Sequence, residues 1–178
     1  MSLELIIGCM YSGKSTELMR RVNRYKCIGK RVLVVNHALD TRYSKDPVMV
    51  THSGEQMDAI KVDDLKWVVP INYDVIAIDE GQLFKELYNR VMYFVEVMNL
   101  NVIVAGLNGD YKRQNFGEIY KLYPVASNIH HCLALCSQCK DGTPGMFTYR
   151  ITDETDQLLI GSEEMYIAVC RRCFTKTN

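Results

Sequence analysis

Neither sign of charge prevails in this chain. Its 21 lysines and arginines face 21 aspartates and glutamates, a formal net charge of 0. A general nucleic-acid binder carries a basic excess, and none is present overall. Long apolar runs are missing too: the longest is a handful of residues, and a membrane-spanning helix needs about 20. The opening Met1-Ser2-Leu3-Glu4-Leu5 lacks the basic stretch and cleavage pattern of a secretory signal. No internal repeat or low-complexity stretch is visible. Seven cysteines, an odd number, with no signal argue against a disulfide framework. These absences predict a protein of the reducing cytoplasm, with neither membrane nor nucleic acid as partner.

What is present is the composition of an ordinary globule, 48% hydrophobic and 24% charged over 178 residues. That length predicts one domain, or one with a small appendage. It is enough to bury about two-thirds of the unfolded surface without cross-links.

The first two-thirds alternates between strand and helix signals. Leu5-Ile6-Ile7 stops at Gly8, as a short buried parallel strand does. From Lys14 to about Ile28 the period is helical, with Leu18, Val22 and Tyr25 on one face. Further strands are predicted at Arg31–Val35, Val75–Ile78 and Asn101–Gly106. Residues 37–57 are polar, contain Pro47 and Gly54, and read as a long loop or loose hairpin. A second helix is predicted over about Lys85–Met98, with Leu87, Val91, Phe94, Val95 and Met98 inward, and a short one over Gly117–Tyr123. Such alternation implies a mostly parallel sheet with right-handed crossovers. After about Ser127 the texture changes to short β-like segments (Phe147–Arg150, Leu158–Ile160, Tyr166–Val169) between cysteine pairs. A boundary near residue 134 divides the chain into an α/β domain, 1–134, and a small domain, 135–178.

The sharpest motif is Gly8-Cys9-Met10-Tyr11-Ser12-Gly13-Lys14-Ser15. It matches G-x-x-x-x-G-K-[ST] in full, between a strand and a helix. Its amides form an anion nest at a helix N-terminus. Lys14 is placed for the outer phosphates and Ser15 for Mg²⁺. A second motif, Val75-Ile76-Ala77-Ile78-Asp79-Glu80-Gly81-Gln82, ends an apolar strand in two acids. Asp79 suits the Mg²⁺ side of a phosphate-loop enzyme. Glu80 suits the removal of a proton from an attacking hydroxyl. The third constellation pairs Cys136 and Cys139 with Cys170 and Cys173, enough to give Zn²⁺ four thiolates and close the site. Their separation exceeds that of a compact zinc ribbon, so a longer excursion leaves and returns between the pairs. Cys9, Cys27 and Cys132 read as small buried apolar residues. Spacing alone stops at a phosphate-loop phosphotransferase or nucleotidase with a zinc appendage.

The string Leu5-Ile6-Ile7-Gly8-Cys9-Met10-Tyr11-Ser12-Gly13-Lys14-Ser15-Thr16-Glu17-Leu18 resembles the opening of the type II thymidine kinases, the cellular cytosolic and poxvirus-like class. Asp40-Thr41-Arg42-Tyr43, Ile78-Asp79-Glu80-Gly81-Gln82 and Leu107-Asn108-Gly109-Asp110-Tyr111-Lys112-Arg113-Gln114-Asn115-Phe116 match as well. So does Ile160-Gly161-Ser162-Glu163-Glu164-Met165-Tyr166 followed by Cys170-Arg171-Arg172-Cys173. These run in family order over nearly the whole chain.

The resemblance implies a RecA-like phosphate-loop α/β fold with helices on both faces and a small zinc-held lasso. It implies transfer of the ATP γ-phosphate to the 5′-hydroxyl of thymidine, with deoxyuridine as a further substrate, in nucleoside salvage by a cytoplasmic homotetramer. On that reading Glu80 is the general base, Lys14 and Arg42 attend the phosphates, and Ser15 and Asp79 hold Mg²⁺. Gln82 joins the nucleotide-binding set. Met10, Leu107, Tyr111, Phe116 and Thr148 fall at pocket positions, with Arg150 near the lasso. Backbone from Gln157 through Leu158, Leu159 and Ile160 to Gly161 would meet the thymine edge, and Tyr166 would pack on the nucleoside. Leu83 and Tyr111 stand where the family usually has Phe, Asn108 where it has Asp, and Ser162 where a second Gly is common. Three alternatives stay open: a broader deoxynucleoside kinase, an ATPase whose zinc ribbon grips nucleic acid, and a nucleotide-binding module without turnover.

Overall fold

The computed structural model describes residues 1–40, 46–51, 53–159 and 165–176. Strand β1 (Ser2–Gly8) leads through the phosphate-loop segment into helix α1 (Lys14–Cys27), then β2 (Val32–His37). A small hairpin follows, β3 (Val48–Val50) with β4 (Gln56–Asp58), and then β5 (Ile60–Val62). Next come β6 (Val75–Ile78), α2 (Leu87–Met92), β7 (Asn101–Leu107) and β8 (Asn128–Cys132). The sheet has six strands in the order β5-β2-β6-β7-β1-β8. All its pairings are parallel, for example Leu5 beside Val104 and Ile129.

A parallel sheet needs cover on both faces, so its central strands are mostly apolar. All four residues of β6 are buried. Leu3, Leu5, Ile7, Ile76, Ile78, Val102 and Val104 point to one face, where Leu87, Val91 and Phe94 cover them. Ile6, Val75, Ala77, Ile103 and Ala105 point to the other, against Leu18, Met19 and Val22 of α1. This is the α/β architecture with helices on both faces that the alternation predicts.

The expected helix over 85–98 is divided. After α2 the chain widens into a π-helical turn, Tyr93–Val97, where Met98 N–H reaches back to Tyr93 O (3.1 Å). The wider turn still buries Phe94 completely. The expected short helix is a 3₁₀ segment, Ile119–Val125, that takes in Pro124. Two edge strands carry little apolar signal. β8 buries only Cys132, and β5 is exposed or half-buried throughout. Both are held by backbone bonds to a central strand rather than by an apolar run.

Beyond β8 the chain forms two antiparallel pairs, β9 (Ala134–Leu135) with β10 (Pro144–Gly145) and β11 (Phe147–Arg150) with β12 (Tyr166–Val169), and then helix α3 (Arg171–Lys176). Leu158 and Leu159, expected as part of a strand, belong to no strand. Cys27, expected to be buried, is exposed near the end of α1, whereas Cys9 and Cys132 are buried as expected.

Candidate active site

Parallel strands put all their carboxyl ends on one side, where open α/β sheets bind ligands. Here the ends of β1, β6 and β7 bring three segments together: Cys9–Gly13, Asp79–Gln82 and Asn108–Phe116.

At the end of β1, Gly8 lies against the next strand. A Cβ there would run into the carbonyl of Cys132 and the hydroxyl of Ser12. Ser12 Oγ donates to Cys9 O (2.8 Å), and Lys14 Nζ donates to the same carbonyl (2.7 Å). Tyr11 (φ 63°) and Gly13 (φ 80°) take left-handed backbone conformations, which curl the loop before α1 begins. The loop is tied to the far end of the chain. Met10 N–H donates to Thr148 Oγ1 (3.0 Å), and Cys9 Sγ to Gly145 O (3.4 Å).

Ser15 Oγ, in the first turn of α1, donates to Asp79 Oδ2 (2.9 Å). Asp79 is buried, and burial, aided by the neighbouring Glu80 charge, pushes its carboxyl up to about 7. A buried acid touching the phosphate loop suits a divalent cation, whose charge offsets the desolvation that raises the carboxyl. Glu80 is also buried and takes a left-handed backbone (φ 52°). Gln82 Nε2 donates to Glu80 Oε2, while Gln82 Oε1 accepts from Leu107 N–H (3.0 Å). One amide thus fixes the acid and the end of β7 together.

A cleft of about 530 Å³, counted to its open mouth, lies beside these acids. Met10, Leu107, Tyr111, Phe116, Thr148, Gln157, Leu158, Leu159 and Tyr166 line it, together with Glu80 and Gln82. Nine of the expected pocket residues therefore share one cavity. Ile160, Gly161 and Arg42 lie outside the described residues. Leu83, expected at a wall where the family usually has Phe, lines the cleft, and Leu39, Asp40 and Asp110 line it without having been expected there. Asp40 and Asp110 each sit inside a string already singled out, so an acid within such a string was the available signal. Leu83 gives this wall an aliphatic surface, while Phe84 beside it turns into the core against the His37 ring (centroids 4.6 Å apart).

Asp110 organises its own loop. Its Oδ1 accepts from the N–H groups of Lys112 and Gln114 (both 2.8 Å), and its Oδ2 accepts from Gln157 Nε2 (2.7 Å). Tyr111, whose hydroxyl needs a partner when packed in a wall, donates to Thr155 O (2.7 Å).

The four paired cysteines converge. The sulfurs of Cys136, Cys139, Cys170 and Cys173 all lie within 4.8 Å of one another. A tetrahedral zinc site with Zn–S of ~2.3 Å sets sulfurs about 3.8 Å apart, and Cys139 Sγ is 3.8 Å from Cys170 Sγ and 3.5 Å from Cys173 Sγ. Cys170 N–H and Arg172 Nη2 donate to the sulfurs of Cys136 and Cys139 (3.2 and 3.6 Å). Burial works to raise the Cys136 thiol, but the N–H groups of Cys139, Cys170 and Gln138 outweigh it and bring it down to about 6. The donor set is compatible with zinc. Its core, Cys136, Val169, Cys170 and Phe174, adjoins the phosphate loop through Cys9, Ala134 and Ala168.

A family model described as "Thymidine kinase" matches residues 1–174. The chain is 36% identical over 187 residues to a thymidine kinase of Choristoneura fumiferana entomopoxvirus, covering 100% of this chain and 98% of the relative. It is 38% identical over 181 residues to a cytosolic thymidine kinase of Cricetulus griseus, covering 99% and 74%. It is 37% identical over 175 residues to a thymidine kinase of Mycoplasma mobile, covering 96% and 86%.

Proposed function

The chain belongs to the thymidine kinase family, and from that membership we propose how its own residues carry the reaction. The enzyme transfers the γ-phosphoryl group of ATP to the 5′-hydroxyl of thymidine and yields thymidine monophosphate for DNA precursor salvage. One observation carries the assignment of roles. Glu80 faces the cleft, pinned by Gln82, one residue from the Asp79–Ser15 pair of the phosphate loop.

ATP lies with its phosphates on the amides from Gly8 to Ser15. Lys14 moves from the Cys9 carbonyl to the outer phosphates, and Arg42 attends the transferred group. Ser15 and Asp79 would hold Mg²⁺, which neutralises phosphate charge when bound. The nucleoside lies in the cleft among Met10, Leu107, Tyr111, Phe116, Thr148 and Tyr166, its base edge met by backbone from Gln157 to Gly161. Glu80 orients the 5′-hydroxyl and accepts its proton as the new O–P bond forms. The bond from the γ-phosphorus to the ADP oxygen breaks, and ADP departs. Walling the cleft keeps water from competing with the sugar hydroxyl.

The same reading divides the chain into an ATP-binding part, 1–134, and a lasso part, 135–178, held by zinc on the four cysteines. We place the enzyme in the cytoplasm as a homotetramer. Among the described residues no helix is long and apolar enough to cross a membrane. The decisive experiment is Glu80→Gln, assayed with labelled ATP against a panel of nucleosides. Turnover of thymidine falls at least ~100-fold while circular dichroism stays that of the wild type. Full activity in the variant refutes the assignment.

A further inference from the structure

Between β11 and β12 the described backbone forms no helix and joins no strand ladder from Thr152 to Leu159. Backbone carbonyls near a binding cleft still need donors. In this stretch they find them on side chains, above all on one.

Arg150 is 5% exposed. Its Nη1 donates to Glu154 O (2.8 Å) and Asp156 O (2.6 Å). Its Nη2 donates to Tyr166 Oη (2.6 Å) and, at 3.4 Å, to Gln157 O. Tyr166 Oη passes the contact on to Leu159 O (2.9 Å). The guanidinium lies 3.7 Å from the Tyr111 ring centroid and 5.1 Å from that of Tyr166. Tyr111 Oη supplies Thr155 O. Five carbonyls between residues 154 and 159 therefore turn towards one cation and its two aromatic neighbours.

Burying a guanidinium is costly unless its donors are matched. Here the partners of the two Nη groups come mainly from a single short segment, while the buried Nε has no hydrogen-bond partner among the described residues. That segment's other side presents Gln157, Leu158 and Leu159 to the cleft. We propose that Arg150 is a positioning residue that sets the 154–159 wall of the nucleoside cleft in its binding shape before substrate arrives. Its planar fork spans acceptors that a lysine ammonium, a single point of charge, does not. A wall shaped in advance spares the nucleoside the entropy of ordering it. The proposal rests on the thymidine kinase reading of the cleft.

The test is Arg150→Lys in the full-length, zinc-loaded protein, by two readouts. In steady-state kinetics the KM for thymidine rises about 10-fold or more, kcat stays within about 3-fold, and the KM for ATP within about 2-fold. In nucleoside-free protein, amide hydrogen exchange over 154–159 accelerates about 10-fold or more, while α1 exchanges at the wild-type rate. Saturating thymidine restores slow exchange. Tyr166→Phe, which removes one arm of the network, accelerates exchange over 154–159 in the nucleoside-free protein at smaller amplitude, and that readout serves if the lysine variant does not fold. Unchanged exchange over 154–159 overturns the inference. So does a joint loss of kcat and of both affinities with zinc release, the mark of a merely structural residue. If the wild type fails to phosphorylate thymidine, the proposed function falls, and the exchange measurement still decides the role of Arg150.

Discussion

Glu80 holds a backbone conformation (φ 52°) that side-chain-bearing residues rarely adopt, at a cost of order 1–3 kcal/mol. Such strain persists only where the surroundings impose it. Here Gly81 packs against Val104, and Gln82 bonds both Glu80 and Leu107 N–H. Gln82→Ala frees the acid without removing it, so kcat falls about 10-fold or more, and the loss of its bond to Leu107 N–H costs about 1–3 kcal/mol of stability. An unchanged kcat counts against the pinning role. Glu17, in the first turn of α1, is a second residue whose surroundings set its behaviour. Its two hydrogen bonds from Arg20, and then the one from Arg21, bring its carboxyl from an ordinary 4.5 down to about 2. A carboxyl lowered in the folded state contributes stability that is complete above its unfolded pKa and is lost as pH falls through the folded one. The wild type therefore loses stability between about pH 4.5 and pH 2, and Glu17→Gln loses about 1 kcal/mol less over that span, given solvent screening. Urea titrations at pH 3 and pH 6 check it. Identical pH dependence in the two proteins is the contrary result.

At the scale of elements, α1 serves both the core and the site. Its N-terminus presents Lys14 and Ser15, and its inner face buries Leu18 and Val22 completely. Leu18→Ala leaves a cavity against the sheet and destabilises by about 2–5 kcal/mol. Each kcal/mol lowers the unfolding temperature of a chain this size by roughly 2–4 °C, as calorimetry would record. A variant within 1 °C of wild type contradicts the packing described. The elements also show where sequence patterns run out. α1, β1, β6 and β7 are legible because apolar residues recur at the period of the element that buries them. β8 is not: Asn128–His131 are exposed, and only backbone bonds to β1 make them a strand. The π-helical turn after α2 shares the apolar period of the helix before it, so its wider hydrogen bonding leaves no trace in residue type.

At the scale of the whole molecule, the cysteine cluster and the phosphate loop are one packed unit. Cys9 packs with Ala134 and Ala168, and Met10 N–H meets Thr148 on β11, whose partner β12 runs into Cys170. If the cysteines hold zinc as proposed, its removal disturbs both substrates. Chelation raises the KM for ATP as well as for thymidine, and stoichiometric Zn²⁺ restores both. A change confined to thymidine would separate the two regions. In solution the proposed homotetramer gives a light-scattering mass four times that of the 20.5 kDa chain. A monomer at micromolar concentration refutes it.

The sequence by itself determined the local chemistry. An anion nest needs a glycine-lysine-serine spacing within one loop, a buried parallel strand needs an unbroken apolar run, and a closed metal site needs its four sulfurs. The first two are each written in a few neighbouring residues, and the third in two Cys-x-x-Cys pairs that the fold brings together. The tertiary structure decided the rest. It chose Leu39, Asp40 and Asp110 as further walls of the cleft, joined Gln157 to Asp110 across 47 residues and Met10 to Thr148 across 138, and gathered the 154–159 carbonyls around Arg150. Those contacts depend on which strand ends the parallel sheet sets side by side, and no residue period encodes that adjacency.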